Sequence, residues 1–154
     1  MAPRIALSCV GPASWDTSPK NPHVRTLFKV YVNPAGEKAM ASEGKKPFPA
    51  GSILVKEKYE APASPQRDRP AVPSKNAKPV LLTVMIKREK GFSAPTGDWE
   101  YRVYTGDGQR STGDGLKHCA GCHETQKESG YVFGSYNRGV FTGHGHFEPL
   151  PPGL

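Results

Sequence analysis

The sequence predicts an α+β fold, mainly antiparallel β-sheet with a few short helices. Three observations carry this expectation. Residues 52–59, 80–87 and 98–104 are strand-like in alternation or in β-branched and aromatic content. Turn-rich segments separate them, in a chain with 17 glycines and 16 prolines. The one recognisable chemical motif, Cys119-Ala120-Gly121-Cys122-His123, comes after all three strands and belongs on a short C-terminal helix.

Residues 1–25 hold Pro3, Pro12, Pro19 and Pro22 and predict an irregular or extended arm, with Trp15 as a possible anchor and His23 on the surface. Leu27 to Val32 alternates as a strand. Asn33 is a suitable N-cap with Pro34 at the first helical position, so Ala35 to Glu43 should form a helix that Gly44 ends. Residues 45–51 then turn into the clearest strand, Ser52 to Tyr59. Its alternation puts Ile53, Val55, Glu57 and Tyr59 on one face and Ser52, Leu54, Lys56 and Lys58 on the other.

Residues 61–79 carry five prolines and predict a long exposed loop. Val80 to Lys87 is nearly continuous in apolar residues, as expected of a central strand covered on both faces. A turn from Gly91 to Gly97 carries Phe92 and Pro95. The next strand, Asp98 to Tyr104, points Trp99, Tyr101 and Val103 one way and Glu100, Arg102 and Tyr104 the other. Gly106-Asp107-Gly108 is a tight turn. Asp114 or Thr112 can cap a helix bearing Leu116, Cys119, Cys122 and His123, weakened by Gly115 and Gly121. An aromatic segment, 130–136, follows, then an irregular Gly-, His- and Pro-rich tail, 138–154. No internal repeat is apparent.

The 154 residues suffice for one domain, and the formal charge is +7. That charge suits solubility, or docking to an acidic redox partner or an anionic surface. It does not suggest nucleic-acid binding, because the basic residues are scattered and no stripe interleaves them with aromatics. No stretch is long and apolar enough to span a membrane.

Cys-x-x-Cys-His is the signature for covalent attachment of a c-type haem. Two thiols three residues apart on one helical turn can each bond a vinyl group, and His123 then lies under the iron as an axial ligand. A redox Cys-x-x-Cys needs no histidine and usually sits near a βαβ pattern, which is lacking. A zinc knuckle needs two more close ligands, and the third cysteine, Cys9, is far upstream. The expected cofactor is therefore one covalent haem c per chain. Its plate would also complete a thin apolar core. Residues 26–137 then form a haem domain between arm and tail. Haem attachment to this motif normally occurs outside the bacterial cytoplasm. The N-terminus is a poor export signal, so a periplasmic location implies that a leader was removed or replaced. Cys9 is better explained as an incidental thiol than as a lipoprotein remnant.

An electron-carrier cytochrome c usually has an early motif, helices around the haem and a downstream methionine ligand. Here Met1, Met40 and Met85 all precede the motif. Met85 suits the core better than the iron. His144 and His146 are the candidates for a sixth ligand, or belong to a polar tail. The expectation is a five-coordinate iron with an open face.

Five segments together resemble the cytochrome P-460 family, whose relatives include cytochrome c′-beta. They are Phe48-Pro-x-Gly51-Ser-Ile-Leu-Val-Lys56-Glu57, Val84-Met85-Ile86-Lys87, Gly97-Asp98-Trp99, the late Cys119-x-x-Cys122-His123, and Tyr131-Val132-Phe133. Asn33-Pro34 and the short helix also fit. The resemblance implies a homodimer of haem c domains. It implies oxidation of hydroxylamine to nitrous oxide or nitric oxide products, with electrons passing to a redox partner. The alternative it implies is nitric oxide binding without turnover, as in the c′-beta relatives; electron transfer is a third reading. In the enzymes a lysine matching Lys56 is joined to the porphyrin, and a distal carboxylate takes protons. Asp114 is the nearest match for the latter, though an N-cap role suits it equally. Phe28, Phe48 and Phe92 are candidates for distal ring contacts or for core.

Overall fold

The computed structural model describes residues 8–9, 26–42, 45–60, 76–112 and 115–133. Its centre is an antiparallel sheet in the order β1-β2-β3-β4-β5. Four strands do the work: β2 (Thr26–Val32), β3 (Ile53–Glu60), β4 (Leu81–Lys87) and β5 (Trp99–Thr105). β1 is a two-residue edge, Ser8–Cys9, paired with Val32 and Tyr31 of β2. It lies in the stretch expected to be an irregular arm. Two short helices complete the fold, α1 (Glu37–Ala41) and α2 (Gly115–Glu124). Trp15, His23, Asp114, Tyr136, His144 and His146 lie outside the described residues, as do the side chains of Cys9 and Phe28.

The register fixes two faces. Leu54 stands opposite Val32 and Met85, and Met85 opposite Tyr101. Lys56 stands opposite Val30 and Thr83. These residues share one face, and its core contains Val30, Val32, Met40, Leu54, Met85 and Trp99. The other face has its own core of Val55, Leu82, Val84, Ile86 and Tyr104, with Tyr31 and Ile53 against it. Adjacent β4 residues therefore feed different cores, which is why the strand reads as a continuous apolar run.

The loops are tied by side chains. Asn33 is buried; its Nδ2 donates to the Gly51 carbonyl at 2.9 Å, while its Oδ1 accepts from Ile53 N at 2.9 Å and Gly36 N at 3.3 Å. Part of its capping capacity is thus spent on the β3 entry. Residues 34–36 form a turn, and α1 starts at Glu37, later than Pro34, and ends at Ala41, before Glu43. The expected Gly91–Gly97 turn contains a 3-10 turn at Ala94–Thr96. Phe92 lies beside it, 54% exposed, so it is not core among the described residues. Phe48 is core: its ring meets Trp99 edge-on at 5.3 Å.

Candidate functional site

Cys119, Cys122 and His123 sit at i, i+3 and i+4 of α2, which places them on neighbouring positions of one side of the helix. A half-buried stripe of Leu116, Cys119, Ala120 and His123 turns toward β5 and the 3-10 turn. Cys119 is half-buried, Cys122 is exposed, and neither is in a disulfide. Beside them an open groove of about 510 Å³ is lined by Lys117, His118, Gly121 and Cys122. A Cβ at Gly121 would meet open space. Its glycine is therefore not demanded by packing among the described residues.

His123 is the most constrained member. Its Nδ1 lies 2.7 Å from the carbonyl oxygen of Tyr131. A carbonyl only accepts, so Nδ1 carries the proton and Nε2 presents its lone pair. The ring lies 5.5 Å from that of Tyr101 and 5.1 Å, edge-on, from that of Phe133. Burial pushes its pKa down, the hydrogen bond to Tyr131 opposes this, and the charge of Lys56 adds to the fall. The imidazole is held neutral, the form that ligates a metal.

The Tyr131 carbonyl is itself held in place. After α2 the chain makes a 3-10 turn, Lys127–Ser129, that Gly130 closes with φ +72°. Tyr131 follows with φ +67°, a left-handed conformation that costs a bulky residue about 1–2 kcal/mol. Several contacts hold it there. Tyr131 N donates to the Gln126 carbonyl at 2.7 Å. Trp99 Nε1 donates to the Gly130 carbonyl at 3.0 Å. The Tyr131 ring is buried against Gly97, where a Cβ would fall 2.1 Å from Cε2.

β3 brings Lys56 to the same place. Burial, aided by the charge of neighbouring Lys58 and opposed by Cys122, depresses its pKa to about 7. Lys58, half-buried, is also lowered by burial, against the influence of Cys119. Lys56 is thus electrostatically linked to Cys122 and His123, and Lys58 to Cys119; both lysines share the Leu54 side of the strand. Met85 is in the core beneath, between Leu54 and Tyr101.

Tyr101 is a site residue that the sequence reading did not single out. Its hydroxyl is buried without a hydrogen-bond partner among the described residues. Burial, then the nearby Cys119, Tyr131 and Cys122, hold the phenol well above its ordinary pKa, so it stays protonated. Its membership of the Trp99 face was the only available signal. Among the described residues no group of three or more His, Cys, Asp or Glu side chains could hold a metal ion.

Residues 13–134 match the cytochrome P460 family. The chain belongs to that family. No curated protein matches it. Membership in the cytochrome P460 family makes this a c-type haem protein. The donor set fits such a group: a thiol pair one helical turn apart, a neutral imidazole with Nε2 available, and a phenol hydroxyl awaiting a partner. Among the described residues no helix is long and apolar enough to cross a membrane.

Proposed function

We propose that this is a hydroxylamine-oxidising cytochrome P460 with three covalent links to one haem c per chain. Cys119 and Cys122 supply two thioethers, His123 Nε2 ligates the iron, and Lys56 supplies the third link. The observation that carries this reading is the half-buried Lys56, whose amine is desolvated to a pKa near 7 and whose charge acts on His123. A neutral amine is a nucleophile, whereas an ordinary lysine is blocked by its proton; the new N–C bond would replace an amine N–H and a porphyrin C–H, so its formation releases two protons and requires an external two-electron oxidant. The haem supplies one-electron redox chemistry and an open axial position. Hydroxylamine oxidation releases protons as well as electrons, so a base must stand nearby, and Asp114 is assigned that role. Electrons leave to an external acceptor, with the basic surface serving a redox partner. A periplasmic homodimer is the setting that this reading carries.

A second reading, nitric oxide binding without turnover, has its own support. The residues around Lys56 on its sheet face, Val30, Leu54, Lys58, Thr83, Met85 and Tyr101, include no carboxylate. One mature preparation separates the two. A tryptic haem peptide joined to the Lys56 peptide, with hydroxylamine turnover using an artificial acceptor, is the expected result. Haem joined through Cys119 and Cys122 alone, with tight nitric oxide binding and no turnover, would establish the second reading. A low-spin six-coordinate ferric spectrum would point to electron transfer instead.

A further inference from the structure

We propose that Gly97 is a positioning residue for the axial imidazole: the space it leaves lets the Tyr131 ring seat, and that seat keeps the Tyr131 carbonyl on His123 Nδ1. The inference rests on the reading of His123 as axial ligand. Four observations converge on it. Gly97 has φ +60°, and a Cβ there would lie 2.1, 2.5 and 2.8 Å from three atoms of the Tyr131 ring, so no side chain fits. Tyr131 is in a left-handed conformation that few bulky residues adopt, and its carbonyl is the acceptor for His123 at 2.7 Å. The following residue, Asp98, is also left-handed, with φ +63°. Its Oδ1 accepts from Ser93 N at 2.9 Å and Gly91 N at 3.2 Å, which braces the turn behind Gly97. The turn continues into Trp99, whose indole N–H holds the Gly130 carbonyl at 3.0 Å.

The β4–β5 turn and the start of β5 thus grip the chain at two neighbouring points, the Gly130 carbonyl and the Tyr131 ring. A histidine that donates through Nδ1 is a more basic ligand through Nε2, because the acceptor draws the proton outward. A more basic ligand favours the ferric over the ferrous iron. Seating of Tyr131 on Gly97 therefore sets a redox property of a group that Gly97 does not touch.

The test is a redox titration of holoprotein with a double-mutant cycle. Gly97→Ala should lower the ferric-to-ferrous ratio at fixed ambient potential about tenfold, a rise in midpoint of about 59 mV. Tyr131→Gly keeps the left-handed backbone accessible and removes the ring; it should raise the midpoint as well. Adding Gly97→Ala to Tyr131→Gly should then change nothing more, since the two act through one contact. A Gly97→Ala midpoint equal to that of the unaltered protein overturns the proposal, and so do fully additive shifts. The unaltered ferrous holoprotein provides a check that needs no variant. Its iron–histidine stretch should have the raised frequency of a hydrogen-bonded imidazole, and an unraised band also overturns the proposal. Failure of the underlying reading looks different: His123→Ala holoprotein would then keep the unaltered ferric spectrum.

Discussion

The Nδ1 of His123 and the carbonyl oxygen of Tyr131 stand 2.7 Å apart, which assigns the imidazole tautomer before any cofactor arrives. In the haem-free protein at neutral pH, nitrogen NMR should find His123 as the Nδ1–H tautomer. An Nε2–H signal would contradict the hydrogen bond. The pKa of this ring is held below its ordinary 6.5, chiefly by burial. The unfolded chain therefore takes up this proton first as the pH falls. The His123 contribution lowers stability on acidification below about 6.5.

Lys56→Met should have opposite effects on stability and on function. It replaces a desolvated amine by an apolar chain of similar length. The haem-free protein should gain roughly 1–2 kcal/mol at pH 6 in urea unfolding. The lysine-linked haem peptide and hydroxylamine turnover should both be lost.

The pH profile of the same protein provides an independent check. The Lys56 pKa falls from 10.5 to about 7 on folding, so between those values the unfolded chain binds more protons than the folded one. Stability of the haem-free protein should therefore rise with pH across that window. In Lys56→Met this contribution should vanish. A slope that persists unchanged would assign the effect to another group.

Asn33→Ala should cost about 2–4 kcal/mol, because three hydrogen bonds disappear and the part-buried N–H of Ile53 loses a side-chain acceptor. Urea unfolding with an unchanged m-value would measure it. A loss below about 0.5 kcal/mol would show that water replaces the amide without difficulty.

Glu100→Gln probes the opposite face. Glu100 accepts from Arg88 Nε and Arg102 Nε, each at 2.6 Å. Burial alone would raise the pKa of its carboxyl, but hydrogen bonds from Arg102 and Arg88 hold it below the ordinary 4.5. Arg88 is well exposed, so the expected loss is only about 1 kcal/mol at pH 7. This contribution is present above 4.5 and lost as the pH falls through the depressed value. The haem spectrum should not change, because Glu100 is on the face away from α2.

Much of this was legible in the sequence. The alternation in 53–59 groups Lys56 with Leu54, and that in 99–104 groups Tyr101 with Trp99; only the register shows that the two groups share one face. The cysteine–histidine helix was readable because the motif fixes its own spacing. The start of α1 was not, since Asn33 looks like a cap locally yet bonds Ile53, twenty residues ahead. That Phe92 is exposed and Phe48 is core was not legible either, because an aromatic in a turn can point inward or outward until the turn's direction is known. The Tyr131–His123 bond was invisible, as a backbone carbonyl leaves no mark in a sequence. Its one trace was Gly97, in the segment resembling the cytochrome P-460 family.

The order of the strands has a consequence for how the protein is made. Each strand pairs with its predecessor in the chain, so every hairpin can close as soon as its second strand is available. Cys119 and Cys122 come after β5, and the Tyr131 carbonyl later still. A chain delivered from its N-terminus can pair its strands before Cys119 and Cys122 appear. The segment that carries both thiols and the Tyr131 carbonyl is thus the last part of the fold to arrive, and Tyr131 and Val132 complete the core on that side of the sheet only after the cysteines.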